Sequence, residues 1–413
     1  MNTGDTSFIF MSTALVFLMT PGLAFFYGGM VRRKNVLNTI MSTFFIAGLA
    51  SILWVIVGYS LSFGKDLGGI IGNLQWFGFN GVTWNPNGDY AATIPHNLFA
   101  SFQMMFAIIT PALITGALVE RMKFSSLFMF IVLWSFLVYY PMAHMVWGVG
   151  GLIRELGAID FAGGNVVHIS SGVSALVASI MLGKRKGYGM TDYHPHNIPL
   201  VVIGASLLWF GWFGFNGGSA LGANGLAVHA LITSNTSAAM ALLTWMFIEK
   251  ITRGKPTLLG AATGAVVGLV AITPGAGFVP IWASIIIGAL VSPICYFGVS
   301  TIKHKFGYDD ALDAFGCHGI GGIWGAIATG LFAHRSIHSA TQWNGLFFGD
   351  TRLFTAQVVS ILITIILAVV GTFAIMKVLQ FFMEIRVNHM EEIEGLDKAE
   401  HSENAYPSFT GMD

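Results

Sequence analysis

Apolar runs of about 20 residues, enough for a helix to cross a roughly 30 Å hydrocarbon layer, recur along the whole chain between short polar segments. Eleven can be placed, near 7–31, 38–63, 96–120, 124–147, 163–184, 197–222, 226–250, 257–276, 277–301, 310–335 and 353–386. None alternates between apolar and polar positions, which argues against transmembrane β-strands. The eighth and ninth runs touch at "TPGAGFVP", where Pro274, Gly275, Gly277 and Pro280 permit a hairpin but not a continuous helix. The pattern predicts an all-α, polytopic bundle of eleven transmembrane helices over 1–386, followed by a polar tail at 387–413.

Composition agrees with the pattern. Of 413 residues, 54% are hydrophobic and only 10% charged, against about 25% charged in soluble domains, so a multi-pass protein of the cell membrane is expected. The opening "MNTGDTS" lacks a basic stretch and the apolar run after it is too long for a signal peptide, so the first helix is expected to stay. A formal net charge of zero and no basic domain give no reason to expect nucleic acid. The two cysteines, Cys295 and Cys317, both fall within apolar runs. They offer neither a disulfide framework nor a CxxC motif, and no metal or other cofactor is expected.

Charge sets an orientation, because Lys and Arg favour short cytoplasmic loops. With the N-terminus outside, the inner loops carry Arg32, Arg33, Lys34, Arg121, Lys123, Lys184, Arg185, Lys186, Lys250, Arg253, Lys255, Lys303 and Lys305, thirteen in all. The outer loops carry four: Lys65, Arg154, Arg335 and Arg352. The tail then lies in the cytoplasm.

An internal echo adds chemistry. "DFAGGNVVHISSGVSALVA" (160–178) matches "DALDAFGCHGIGGIWGAIA" (310–328), with Asp160 and His168 eight apart like Asp310 and His318, and with Gly172 and Gly322 four residues after each His. "LAFFYGG" (23–29) likewise echoes "GWFGFNGG" (211–218). Spans 1 and 6, and spans 5 and 10, therefore correspond while running in opposite directions. Five-plus-five inverted repeats, about 7–184 and 197–335, with an added eleventh helix, fit this, and such folds place their pathway between the repeats near the midplane. Eight residues at 1.5 Å set each His roughly 12 Å from its Asp-bearing end, so the two levels differ by only about 6 Å in a core of about 30 Å.

A single intramembrane His is also compatible with a ring bonded to a carbonyl across a helix interface. Two at matched depth favour a pathway, since ionisable groups are expensive there. One neutral ring can donate to the other and leave an N–H and a lone pair facing whatever passes, and at most one of the pair can be charged. Asp160 suits a helix cap, with a field at the outer mouth as the alternative, and Asp310 has the same cap reading. Trp147, Phe102, Phe106, Phe215 and Ser219 cluster toward the outer end; each ring alone suits core or interfacial belt, but together they can box a cation, with Ser219 as acceptor. Below them lie only apolar residues and the histidines, with nothing to solvate an ion. Gly322, Ala326 and Gly330 form a small-residue stripe for close helix packing.

The chain resembles the ammonium transporter family (Amt/Mep/Rh), of the bacterial or archaeal type. The motifs are "TPGLAFFYGGMVRRKNVLN" (20–38), "GALVERMKFS" (116–125), "PMAHMVWG" (141–148), "DFAGGNVVHI" (160–169), "WFGFNGGSA" (212–220), "KPTLLGAATGAVVGLVAITP" (255–274) and "DDALDAFGCHGIGGIWGAI" (309–327). The resemblance implies that Trp147, Ser219 and Phe106 recruit ammonium outside, that Phe106 and Phe215 close the pore below, that His168 and His318 are its buried pair, that Trp212 lines it, and that Asp160 is essential to structure and mouth. It also implies a homotrimer with one pore per subunit and a trimeric P-II regulator of the GlnK type at the cytoplasmic face. The tail "EGLDKAEHSENAYPSF" (394–409) is similar to the family's element, with Ser402 where Gly is usual, and the Trp147 to Asp160 loop is slightly longer than in close relatives.

The function expected is transport, not enzymatic catalysis. Taking an isolated cation into a dry core costs of order 20 kcal/mol. Deprotonating an amine-like ammonium near pH 7 costs only about 4 kcal/mol. Ammonium should therefore be recruited as the cation and cross as ammonia, with methylammonium as an analogue and potassium excluded. The proton either returns outside or travels separately through the histidines. An ammonium sensor and, more remotely, a bis-histidine haem protein are the rival readings.

Overall fold

The computed structural model describes residues 1–190, 193–338 and 340–406. Its main elements are α1 (Thr3–Met30), α2 (Arg33–Phe63), α3 (His96–Leu118), α4 (124–147), α5 (Gly164–Leu182), α6 (Ile198–Gly218), α7 (Gly225–Arg253), α8 (Leu258–Ile272), α9 (Ile281–Phe306), α10 (Phe315–Phe332) and α11 (Thr351–Phe382). Side chains start several of them: Asn197 accepts from Leu200 N, Asn224 from Ala227 N, and Thr257 from Gly260 N, which satisfies N–H groups that a helix start leaves free.

Among the described residues ten helices are long and apolar enough to cross a membrane, and α8, at 15 residues, is shorter. The 257–276 expectation is thus corrected: the apolar run continues, but helix ends at Ile272 and "TPGAGFV" turns. The tenth run is trimmed likewise, starting at Phe315 and ending where Ala333 becomes extended (ψ 142°). The chain is also not wholly helical, since Asp66–Leu67 pairs antiparallel with Ile71–Gly72 in a small hairpin.

The connections gather in two sets at opposite ends of the bundle. At one end Leu152 N donates to Gly69 O, Phe161 N to Pro274 O and His334 N to Phe278 O. At the other, Lys123 N donates to Ile385 O and Val387 N to Arg121 O, joining the tail to the α3–α4 connection. Two short tail helices, α12 (His389–Glu394) and α13 (Leu396–His401), fold onto the same end. Leu396 N donates to Asn35 Oδ1, and Asp397 Oδ1 accepts from Asn38 N at 2.8 Å, capping α2 from the tail. The last residues of the tail element, 407–409, lie outside the described residues.

Among the described residues the most extensive helix seam joins α1 to α6, the two elements that echo each other in sequence. It is close because glycine lines it: a β-carbon on Gly204 would lie 2.2 Å from Phe26 N, and one on Gly211 2.2 Å from Met19 Cγ. The stripe on α10 meets two neighbours, Gly322 facing His168 and Ile169 of α5, and Gly330 facing Phe354 and Gln357 of α11.

Candidate functional site

Two helix starts define the centre. Asp160 turns both carboxylate oxygens onto backbone: Oδ1 accepts from Gly163 N and Gly164 N at 2.8 and 2.6 Å, and Oδ2 from Asn165 N at 2.7 Å. Asp310 does the same for α10, accepting from Ala314 N at 3.0 Å and Phe315 N at 2.7 Å. Each helix then opens with a π-helical turn, Gly164–Ile169 and Phe315–Ile320, and each His sits inside one. Such turns widen a helix locally and recur at functional sites.

α5 and α10 approach until a β-carbon on Gly172 would lie 2.1 Å from Gly319 N. His168 and His318 therefore meet with Nδ1 atoms 3.3 Å apart, ring centroids 5.3 Å apart and ring planes at 20°. His168 Nε2 is buried with no hydrogen-bond partner. Trp212 lies alongside, its ring 5.5 Å from that of His168, anchored by Nε1 donating to Thr273 Oγ1 at 2.9 Å. The open space between the pair and Phe215, Leu208, Phe26 and Val266 is about 10 Å³. One water-sized molecule needs about 10–15 Å³. A space of that size admits ammonia or water; it has no room for a porphyrin, which sets the haem reading aside.

The aromatic group continues away from the histidine pair. Phe215 and Phe106 lie 4.4 Å apart at 37°, tilted rather than parallel, and Phe106 meets Trp147 edge-on at 5.7 Å. Trp147 is held twice, Nε1 donating to Asp160 O at 3.0 Å and its carbonyl accepting from Arg154 Nη1 at 3.0 Å. Ser219 Oγ donates to Phe215 O at 2.8 Å. Phe106, Trp147 and Ser219 face a cavity of about 200 Å³.

Phe102 does not line that cavity. It is fully buried, 5.1 Å from Phe106, and packs where Gly218 leaves room. Phe99 and Gln103 present the lining face of α3 instead, with Asp89, Tyr90, Arg154 and Phe161 from the loops. The spacing 99, 103, 106 on one helical face was the available signal for the α3 pair; the loop residues carried none, because tertiary folding alone brings them in. Among the described residues no group of three or more His, Cys, Asp or Glu could hold a metal ion.

At the tail end, buried Glu120 accepts from Arg32 Nε at 3.0 Å and Arg185 Nη1 at 3.1 Å, and Arg185 also pairs with Asp309 at 2.8 Å. Burial pushes both carboxyls up, but the guanidinium groups of Arg185 and, for Glu120, Arg32 outweigh it and hold both below the usual carboxylate range. Sequence reading took Arg32 and Arg185 only as inner-loop charges and gave Glu120 and Asp309 no role of their own.

Comparison with known proteins places the chain. The profile of the Ammonium Transporter Family matches residues 7–406. The chain is similar to the ammonium transporter of Bacillus subtilis (54% identity, 98% of this chain and 99% of that protein) and to Ammonium transporter Amt1 of Archaeoglobus fulgidus (46%, 98% and 100%). Among solved structures it resembles Saccharomyces cerevisiae Mep2 (TM-score 0.88, 34% identity, 94% of this chain and 88% of that one) and one titled "Sensor Amt Protein" (TM-score 0.88, 28% identity, 96% and 98%). A multi-pass membrane protein with this sequence and this fold, the chain belongs to the ammonium transporter family.

Proposed function

We propose that the protein takes ammonium from outside the cell, holds it as the cation in the cavity beside Phe106, Trp147 and Ser219, and passes it inward as ammonia between Phe106 and Phe215 and along His168 and His318. The observation that carries this is the ring pair itself, two imidazoles 3.3 Å apart with one nitrogen unpartnered, in a passage of about 10 Å³ with otherwise apolar or aromatic walls. A cation meets a desolvation cost of order 20 kcal/mol there, while shedding the proton first costs about 4 kcal/mol. Potassium has no proton to lose and is excluded. The rings then bond to the neutral molecule, which a purely apolar tube would not.

In this proposal all eleven helices span the bilayer as five-plus-five inverted repeats plus α11, with the N-terminus outside and the tail inside. The alternating ends of the bundle and the matching caps on Asp160 and Asp310 support it. The short α8 spans because its two flanking connections lie at opposite ends. Assembly as a homotrimer, and docking of a P-II protein of the GlnK type at the folded tail, belong to the same reading.

Currents across a supported membrane after an ammonium jump, measured with methylammonium uptake, test it. Saturable uptake that collapses in His168→Ala supports conduction through the pair. Uptake without current assigns neutral ammonia, and a current lost with His168 assigns a proton relay. Tight ammonium binding with no uptake sinks transport and favours a sensor.

A further inference from the structure

The cavities at the tail end are built differently from the one beside Trp147. Val266 lines the passage at the histidines, and Thr263, about one turn earlier on α8, lines a cavity of about 670 Å³ that shares Val299, His304 and Asp313 with a second of about 590 Å³. Tyr188, Tyr193 and Tyr296 line the two, and each carries one of the protein's own cations over its ring. Lys184 lies 5.3 Å from the Tyr188 centroid, Arg185 4.3 Å from that of Tyr193 and Arg253 5.8 Å from that of Tyr296. A cation in place over a ring already uses the attraction that its face offers. Among the described residues no Lys or Arg lies over Phe106 or Trp147.

The carboxylates at the tail end are taken as well. Glu249 accepts from Thr257 N at 2.7 Å and from Thr257 Oγ1 at 3.0 Å. Asp313, which lines both cavities, pairs with Lys303 Nζ at 2.6 Å, and the two side chains are 31% and 13% exposed. The same Nζ donates to Asp310 O at 2.7 Å. At the other end of the bundle the corresponding carbonyl, Asp160 O, accepts from the Trp147 ring. One mouth thus presents bare π faces, and the other holds a tethered alkylammonium group.

We infer that Lys303 is a specificity-determining residue of the tail-end mouth: its ε-ammonium fills the place made by the Asp313 carboxylate and the Asp310 carbonyl, so that free ammonium is captured beside Trp147 and not from this side. This rests on the functional reading above, including its orientation. A cation approaching from the tail side meets Arg185 and Lys303 together, and like charge lining a cleft lowers its local concentration. Departing ammonia is neutral and meets no such repulsion. Removing Lys303 frees a carboxylate that binds the cation before passage and adds nothing during it, so KM and maximal rate for flux from the tail side fall together.

The test measures saturable methylammonium uptake by the full chain in right-side-out and inside-out vesicles from cells with no other ammonium transporter. In inside-out vesicles Lys303→Met is expected to lower KM about tenfold, while KM in right-side-out vesicles stays at the wild-type value. Combining Lys303→Met with Asp313→Asn is expected to restore the wild-type KM, since Asn keeps the left-handed backbone at residue 313 (φ +57°) and carries no charge. An inside-out KM that is unchanged or raised in Lys303→Met, or one that stays lowered in the double variant, overturns the inference while leaving transport intact. If Lys303→Met does not reach the membrane, Lys303→Gln decides by the same readings. A lowered KM found in right-side-out vesicles instead supports the role of Lys303 and reverses the orientation in the functional reading. Absence of saturable uptake by the wild type removes that reading, and the role of Lys303 falls with it.

Discussion

At Gly172 a single hydrogen atom decides how closely α5 and α10 can pack. With a β-carbon 2.1 Å from Gly319 N, against backbone that has nowhere to go, α5 and α10 must part, whereas at Gly322 the nearest atom is His168 Cβ at 3.0 Å. Gly172→Ala is expected to destabilise by about 3 kcal/mol or more, at or beyond the upper end for overpacking, and Gly322→Ala by clearly less; thermal melts of the two in one detergent make the comparison. Ser402 is the other residue whose backbone matters. It ends α13 in the left-handed region at φ +56°, so the turn that usually falls to Gly is kept, at a cost of about 1–2 kcal/mol for a residue with a β-carbon. Ser402→Gly should lower that strain by about 1 kcal/mol, less what glycine loses in chain entropy. Hydrogen exchange over 396–401 reads the change, and slower exchange in the variant is the expected result.

At the scale of elements, α11 does more than close the bundle. Its fully buried Gln357 binds the Ile159 backbone on both sides, Oε1 accepting from Ile159 N and Nε2 donating to Ile159 O, each at 2.9 Å. The next residue, Asp160, both caps α5 and holds Trp147 through its carbonyl. The α11 helix thus sets the loop between the cavity beside Trp147 and the histidine-bearing α5. Gln357→Leu removes the protein partner of two partly buried backbone groups, at up to about 1–3 kcal/mol each, so a loss of up to about 6 kcal/mol is expected in denaturation. If the melt is unchanged, the clamp is not what holds the loop. Asn165 adds a lesser tie, Nδ2 donating to Ser360 Oγ at 3.1 Å.

For the whole molecule, the tail-end charge network joins connections that the helices keep apart. Arg185 bridges Asp309 and Glu120, and Arg32 reaches Glu120 from the α1–α2 connection. Arg185→Met takes the side-chain ion pair from buried Asp309 and leaves Glu120 to Arg32, and a loss of about 3–5 kcal/mol is expected from breaking a buried pair. The same network sets a pH dependence. Glu120 and Asp309 titrate lower in the folded chain than their ordinary values, so the unfolded chain binds more protons as the solution is acidified. Their contribution is complete above about pH 4.5 and is lost as pH falls through the folded values. Melting temperature followed from pH 7 to 3 should drop below about pH 4.5, and the drop should shrink in Arg185→Met.

The sequence by itself determined the membrane class, the family, the position of most helices to within a few residues and the two histidine-bearing segments, because hydropathy and local motifs are written in consecutive residues. The α8 boundary was less legible, since "TPGAG" is apolar enough to extend a hydropathy run while it ends the helix. Phe102 was placed at the mouth by proximity in sequence, but helical phase turns it into the core and brings Phe99 and Gln103 to the cavity. Only the tertiary structure decided the partners: that α1 packs on α6 through glycine, that Gln357 clamps Ile159, that the tail's Asp397 caps α2, and that His168 keeps a free nitrogen. These depend on which residues far apart in the chain come within a few ångströms, and burial removes the water that would otherwise satisfy each polar group. Periodicity records which face of a helix is buried; what it is buried against is settled by packing.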